Sequence, residues 1–373
     1  MKMTFKILFF LLVPILNFSQ NTYYLEGKLG KSVIFMEISE YDNNYLEGNY
    51  FYEKSLKDIR LNGKFKEQSY NLYFGNDYEE TDFEEKFELT KVNSDFIGQW
   101  KNKAGKNITV TLKKIEFSKY PKFEFDEETD RNLDAVKTNY IHFSQDSIAS
   151  YKNQEIIWFT EKHCATPFFR LGNTFPEETR NMINSILEKK HIEMTLNQLS
   201  CSSPFSYNTG GGIEYNITIT YLDNNLLGYH IFLSYYCGGA HPDFGGEGNV
   251  IDLHSGKKYE IDDILAFDKS VTSYNHENFM QFSDYRTNYF GPKVFELINQ
   301  NEKFETPTYQ EDYCDYKDLS IWTFPQWNFT EQGIEFTPTF ARVIRSCETS
   351  FLIPFTKLHE YKNVEFPYDF KTN

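Results

Sequence analysis

From Thr22 to Ile115 hydrophobic and polar positions alternate with a period of two in eight short segments: YYLEGKL, SVIFMEI, YLEGNYFY, DIRLNGKF, YNLYF, KFELTKV, DFIGQW and ITVTLKK. Period two sends successive side chains to opposite faces of a strand, and the aromatic and β-branched content suits a pleated surface. Clusters of Asn, Asp, Gly and Lys break the segments, so the pattern predicts an antiparallel β-meander of about eight strands over residues 20–115. Gly27, Gly48, Gly63 and Gly98 recur at matching places in four segments. A glycine inside a strand marks a bulge or tight bend, as a small barrel-like sheet requires. A barrel of about eight strands encloses little more than its own side chains; a filled core is one reading, and a cup for a small apolar ligand is the other.

The pattern then changes. Residues 116–138 carry an acidic run, Asp126 to Asp130, without sustained apolar periodicity, and read as a linker. From Asn139 strands and helices mix: EIIWFT reads as a strand, and residues 174–190 read as a helix. There Thr174 is a cap, Pro176 and two glutamates sit in the first turn, and Met182, Ile183, Ile186 and Leu187 form the apolar stripe. GIEYNITITYLDN and NLLGYHIFLSYY form a hairpin turning at Asp223–Asn225, followed by a Gly-rich loop over residues 237–249, the strand NVIDL, the turn HSGKK and YEIDDIL. Helical periodicity covers residues 270–300, and IWTFPQWNFT, GIEFTPTFA and SFLIPFTKL read as closing strands. The whole predicts an α+β protein: an N-terminal antiparallel β-meander or small barrel-like module, then a mixed α+β domain with an antiparallel sheet and packed helices over residues 139–373.

Residues 1–19 combine Lys2 and Lys6, an apolar run from Ile7 to Leu16 and Ser19 before a polar sequence. This is the pattern of a secretory signal peptide, too short for a comfortable membrane span. The expectation is export to the periplasm, cell envelope or exterior, with no transmembrane segment in the mature chain. The 373 residues are 40% hydrophobic and 25% charged, enough for a sizeable core. Net charge is −16, and loss of the two N-terminal lysines takes it to −18. Nucleic acid is excluded as a broad partner, because phosphate neutralisation needs clustered Lys and Arg.

All five cysteines lie beyond residue 160. In an oxidising compartment they make up to two disulfides and one free thiol. If IWTFPQWNFT and GIEFTPTFA pair through the turn Glu331–Gln332–Gly333, Cys314 and Cys347 flank the open end of that hairpin, within disulfide reach. Cys314–Cys347 is therefore expected. Cys201–Cys237 is the second pair, with Cys164 free; Cys164–Cys201 is the alternative and would free Cys237.

The stretch from Asn225 to Leu265 leads from a strand into Gly238-Gly239-Ala240-His241. The turn Asp252-Leu253-His254-Ser255-Gly256-Lys257 follows, and then a helix start at Ile261-Asp262-Asp263. In that order these elements resemble the signature of the domain of unknown function 3298. The strand and helix from Pro167 to Lys189 resemble the companion region numbered 4163, and GIEFTPTF and FLIPFTKL match the closing strands, so the likeness spans roughly residues 140–365. The resemblance implies an exported bacterial envelope protein of α+β fold. It includes an anti-sigma factor whose outer domain binds lysozyme, and an accessory region fused to a peptidoglycan deacetylase whose separate catalytic domain has no counterpart here. It supplies no catalytic residues.

Candidate chemistry centres on His241, Asp243, Asp252 and His254. If the ends of the Gly-rich segment meet, two imidazoles and two carboxylates can hold a divalent metal or act as an acid–base pair. The alternative is that the glycines permit a tight backbone path and His241 pins the loop. Gly238, Gly239, Gly245 and Gly246 fit no phosphate-binding pattern. Cys237 near His241 invites a thiol-protease reading, against which stands oxidation. Asp262 and Asp263 suit a helix dipole, or a carboxylate pair. Trp322, Phe324 and Trp327 either fill the core or stack on sugars and anchor partners. The binding residues expected are Gly238, Gly239, His241, Asp243, Trp322 and Trp327, and no cofactor is implied. The leading function is an exported envelope binding protein for a lysozyme-like hydrolase or peptidoglycan; the alternative is a metal-assisted hydrolase or deacetylase using the 241–254 cluster.

Overall fold

The computed structural model describes residues 21–75, 82–121, 123, 132–203, 211–268, 278–304 and 314–371; the expected signal peptide lies outside them. The chain divides into two compact units, one holding Met1–Tyr140 and Ser202–Gly210 and the other holding Ile141–Cys201 and Gly211–Asn373.

In the first unit all eight predicted segments are strands: β1 Asn21–Leu29, β2 Ser32–Glu40, β3 Tyr45–Tyr52, β4 Asp58–Lys66, β5 Ser69–Gly75, β6 Phe83–Val92, β7 Asp95–Asn102 and β8 Asn107–Lys114. They form a closed barrel, each antiparallel to the next, with β1 returning to β8 so that Leu25 faces Lys114 and Lys28 faces Thr111. Leu25, Met36, Leu61, Leu72, Phe87 and Val110 belong to one buried cluster, so the barrel is packed with its own side chains. A Cβ on Gly63 would lie 1.9 Å from the Asn71 carbonyl oxygen, and one on Gly98 the same distance from that of Glu88. Only glycine lets these curved strands approach so closely. Two half-buried carboxylates take hydrogen bonds from aromatic side chains of the barrel. Glu40 accepts hydrogen bonds from Tyr23 (3.1 Å) and Tyr70 (3.0 Å), and Glu85 accepts from Tyr50 and from Trp100 Nε1 (3.0 Å). The expected linker contains a helix, α1 Asn132–Thr138, which buries Leu133, Val136 and Lys137. Lys137 Nζ meets Asp58 at 2.6 Å and Asp134 at 3.2 Å. Seven residues are too few to display a helical period, which is why the sequence did not reveal it.

The second unit opens with an antiparallel sheet of β9 Phe143–Tyr151, β10 Gln154–Glu161 and β11 Pro167–Leu171, followed by α2 Glu177–Cys201. A four-stranded sheet follows: β12 Gly212–Leu222, β13 Leu226–Tyr236, β14 Asp243–Asp252 and β15 Lys258–Tyr259. Then come α3 Ile261–Ile264, α4 Phe279–Tyr285, a π-helical turn Arg286–Phe290 and α5 Gly291–Glu302. The last sheet is β16 Gln326–Phe329, β17 Gly333–Thr337 and β18 Phe351–Pro354, leading into α6 Phe355–Leu358. The strand period places β14 between two cores. Ile251 packs with Ile183, Leu187 and Met194 of α2, while Val250 joins Val294 and Leu297 of α5 and Phe336 of β17.

Three expectations need correction. The helix expected at residues 174–190 runs on to Cys201, because His191 and Thr195, polar in sequence, turn inward. His191 stacks on Phe143 at 4.0 Å and its Nε2 lies 2.8 Å from the Thr166 carbonyl oxygen. IWTF is not a strand: Leu319–Trp322 is a 3-10 turn, and Trp322, wholly buried, donates from Nε1 to the Tyr316 carbonyl at 2.9 Å. Residues 243–249, expected as loop, belong to β14. The helical expectation over residues 270–277 falls outside the described residues.

Candidate functional site

The Gly-rich segment serves two purposes. Gly238 (φ 91°) and Gly239 (φ 105°) turn the loop through left-handed backbone that disfavours other residues. Gly246 and Gly248 make room for β16 to lie on the sheet. A Cβ on Gly248 would sit 2.1 Å from the Trp327 carbonyl oxygen, and one on Gly246 would sit 2.6 Å from His230 Nε2 and 2.8 Å from Gln326 Oε1.

The remaining loop, residues 237–242, is fixed at both ends. Cys237 is disulfide-bonded to Cys201, the last residue of α2, with 4.5 Å between Cα atoms. The Tyr236 hydroxyl donates to the Gly239 carbonyl at 3.0 Å. At the far end Arg342 Nη2 donates to the Pro242 carbonyl at 2.7 Å, and Arg345 pairs with Asp243. Arg345 is itself aimed by Glu348, which it meets through Nε and Nη2 at 3.0 Å each, and it lies 4.2 Å over the Phe244 ring. The Phe244 amide and then Arg345 hold the Asp243 carboxyl below the usual range. His241 stands exposed between these anchors. The pinning expected of His241 comes from the disulfide and the two arginines.

The four-residue constellation does not assemble. Asp243 and Asp252 are the first and last residues of β14, and ten residues at ~3.3 Å each put them about 30 Å apart. Asp252 is buried and structural, accepting from the His254 amide (2.7 Å), the Ser255 amide (3.0 Å), Tyr259 (3.2 Å) and Tyr368 (2.7 Å). Burial opposes its ionisation, but these donors hold its carboxyl below the ordinary range. His254 Nε2 lies 3.0 Å from Asn225 Oδ1. Among the described residues no group of three or more His, Cys, Asp or Glu is placed to share a metal. Metal-ligand or acid–base work by His241, Asp243, Asp252 and His254 together therefore lacks its geometry.

Both expected disulfides are present. Cys314 and Cys347 have Cα atoms 5.4 Å apart, but not as strand neighbours. The β16–β17 pairing stops at Gln326 and Thr337, and the bridge is made beyond it, at the end of the Arg342–Cys347 turn. Cys237 is oxidised, which removes the thiol-protease reading. Cys164 is the free thiol; it lies 3.0 Å from Thr166 Oγ1, and burial pushes it up to about 11.

Trp322 belongs to the core. Trp327 is half-buried and borders a cleft of about 280 Å³ with Phe324, Gln326, residues 246–250 of β14, Lys258 and Glu260. Beside it lies a buried pair that the sequence did not signal. Asp262 bonds to Arg286, whose guanidinium sits 3.8 Å over the Phe290 ring, and burial pushes the Asp262 carboxyl up to about 6. Asp263 meets the helix-dipole expectation, accepting from the Glu260 amide at 2.9 Å.

No protein-family model matches the sequence, and no curated protein matches it. Among solved structures the chain is similar to a DUF3298 family member from Bacteroides fragilis at 13% identity and a TM-score of 0.35, covering 60% of this chain and 94% of that one. It is also similar to a DUF3298 family protein from Pseudomonas aeruginosa PAO1 at 14% identity and a TM-score of 0.31, covering 60% and 93%. The resemblance noted in the sequence, to the domain of unknown function 3298, is thus the resemblance these structural comparisons return.

Proposed function

We propose that the chain is an exported cell-envelope binding protein that meets its partner through the clamped loop of residues 237–243. In this reading residues 1–19 are a cleaved signal peptide, residues 20–115 are a β module, and residues 139–373, with a 4163-like stretch at 167–189, are the binding domain. The observation that carries the reading is the double anchoring of the loop, by Cys201–Cys237 at one end and Arg342 and Arg345 at the other. A loop already fixed loses little conformational freedom on binding, so more of its contact energy becomes affinity. The partner classes are a lysozyme-like hydrolase or peptidoglycan. The net charge of −16 favours a basic protein, by a steering that weakens with salt.

The test is retention of cationic lysozymes and of purified cell-wall sacculi by the mature protein at two salt concentrations. Retention at low salt, reduced in His241→Ala without a change in melting temperature, is the expected result. Retention of neither partner at low salt defeats the partner assignment.

A further inference from the structure

Between Cys237 and Pro242 the chain has little of its own to keep it in one conformation. Gly238 and Gly239 are in left-handed backbone, and glycine gives up more conformational freedom on ordering than any other residue. Among the described residues, the bond from the Tyr236 hydroxyl to the Gly239 carbonyl (3.0 Å) is the only hydrogen bond made by Gly238, Gly239, Ala240 or His241. The order of this loop therefore comes from its ends.

The two ends are held by different chemistry. At residues 242–243 the anchors are Arg342 and Arg345, with Arg345 fixed in turn by Glu348. The turn carrying both arginines ends at Cys347, which is buried and bonded to Cys314, and whose carbonyl also accepts from the Tyr316 hydroxyl at 2.8 Å. That end keeps its hydrogen bonds whatever the state of the sulfurs. At the other end the tie from the loop to α2 is the Cys201–Cys237 disulfide itself. Cys237 is exposed, whereas Cys201 and Cys347 are 5% and 3% exposed and Cys314 is half-buried, so only the first disulfide has a partner facing solvent.

We propose that Cys201–Cys237 is a redox-sensitive latch: a dithiol reductant opens it ahead of Cys314–Cys347, releasing the loop at residue 237 while the arginines keep it at residue 243. One thiolate of the reductant attacks Cys237 Sγ, and the S–S bond breaks. Cys201 leaves and takes up a proton, with the Tyr236 carbonyl oxygen 3.4 Å from its sulfur as acceptor. The second reductant thiol then displaces Cys237, which is protonated in turn. The protein gains two electrons and two protons, and the dithiol becomes a disulfide. Resting on the reading that puts partner contact on this loop, the oxidised form binds and the reduced form, with a loop still to be ordered, binds more weakly. The motion of the loop is measured without a partner, so the latch and that reading can fail separately.

The test measures backbone order parameters in the full mature chain, labelled with heavy nitrogen in glycine and histidine, at Gly238, Gly239 and His241. Values near ~0.85 are expected in the oxidised protein and below ~0.6 in the double variant Cys201→Ser/Cys237→Ser. Gly245 and Gly248 of β14 should not change in either. Cys314→Ser/Cys347→Ser should leave Gly238 and Gly239 as rigid as in the oxidised protein. Alkylation and peptide mapping during reduction with dithiothreitol should show Cys201 and Cys237 opening at least about tenfold faster than Cys314 and Cys347. Should the first variant fail to fold, wild-type protein reduced until two further thiols appear carries the same measurement. Four results each overturn the proposal: a loop already mobile when oxidised, a loop equally rigid after loss of Cys201–Cys237, equal loosening in both variants, and Cys201–Cys237 opening no sooner than Cys314–Cys347.

Discussion

The hydroxyl of Tyr368 donates to Oδ2 of Asp252 at 2.7 Å across a sequence separation of 116 residues. That one carboxylate also accepts from two amides of the turn after β14 and from Tyr259, so it ties the end of the chain to the sheet. Asp252→Ala removes the acceptor and leaves buried donors unpaired, and a loss of about 2–4 kcal/mol in urea unfolding is expected. His254→Ala, at an exposed position, should cost under ~1 kcal/mol. A larger loss for His254 than for Asp252 would contradict the structural role assigned to this pair.

Asp262 supplies the pH dependence. Its folded carboxyl, at about 6, lies above the unfolded value near ~3.9, so the folded state binds the proton more tightly. The stabilisation from that proton is fully present below ~4 and is lost as pH rises through about 6. The stability of the wild type relative to Asp262→Asn should therefore fall between about pH 4 and 6 and level off above. Parallel denaturant titrations across that range measure it, and a difference that rises with pH would show the sign to be wrong.

Thiol chemistry should be silent in the folded protein. Cys164 is the free cysteine and its thiol is shifted to about 11 by burial, so little thiolate is present at neutral pH. An aromatic disulfide reagent should label no cysteine rapidly under native conditions and one after unfolding without reductant. Replacing Cys314 and Cys347 together by serine should cost about 3–4 kcal/mol in the chain-entropy account. Rapid labelling of two or more thiols in folded, unreduced protein would contradict the pairing.

Glycines of different kinds should respond differently. In Gly63→Ala the new Cβ meets the Asn71 carbonyl, and a loss of more than ~2 kcal/mol is expected. In Gly245→Ala it meets open space, and a change under ~1 kcal/mol is expected. Equal melting temperatures for the two variants would remove the close-approach explanation.

The barrel was legible because every strand has one face inside and one outside, which writes period two directly into the sequence, as in KFELTKV. β9 was not: FSQDSIASY is exposed along almost all its length, so no buried face marks it. The last third of α2 was hidden because His191 and Thr195 point inward, and the partners of His191, the Phe143 ring and the Thr166 carbonyl, are supplied by tertiary structure. The 241–254 cluster looked like a site because Gly245, Gly246 and Gly248 read as a loop that brings its ends together. They are instead glycines of a strand, in which Gly246 and Gly248 are required by β16 lying on it while Gly245 faces open space, and the strand carries Asp243 away from Asp252. Arg342 and Arg345, which hold the loop, are a hundred residues from it, and no local pattern announces them.

Closure of the barrel has a topological consequence. Leu25 of β1 faces Lys114 of β8 in antiparallel register, so the chain enters and leaves the barrel at the same end, on adjacent strands. A ring of strands joined in this way has no intrinsic beginning. In the barrel taken alone, residue 114 can be joined to residue 21 through a short linker that spans their offset of about 13 Å. Opening the chain at the turn between β2 and β3 would then keep every strand beside its two neighbours, so the order of synthesis can be permuted while the wall stays intact.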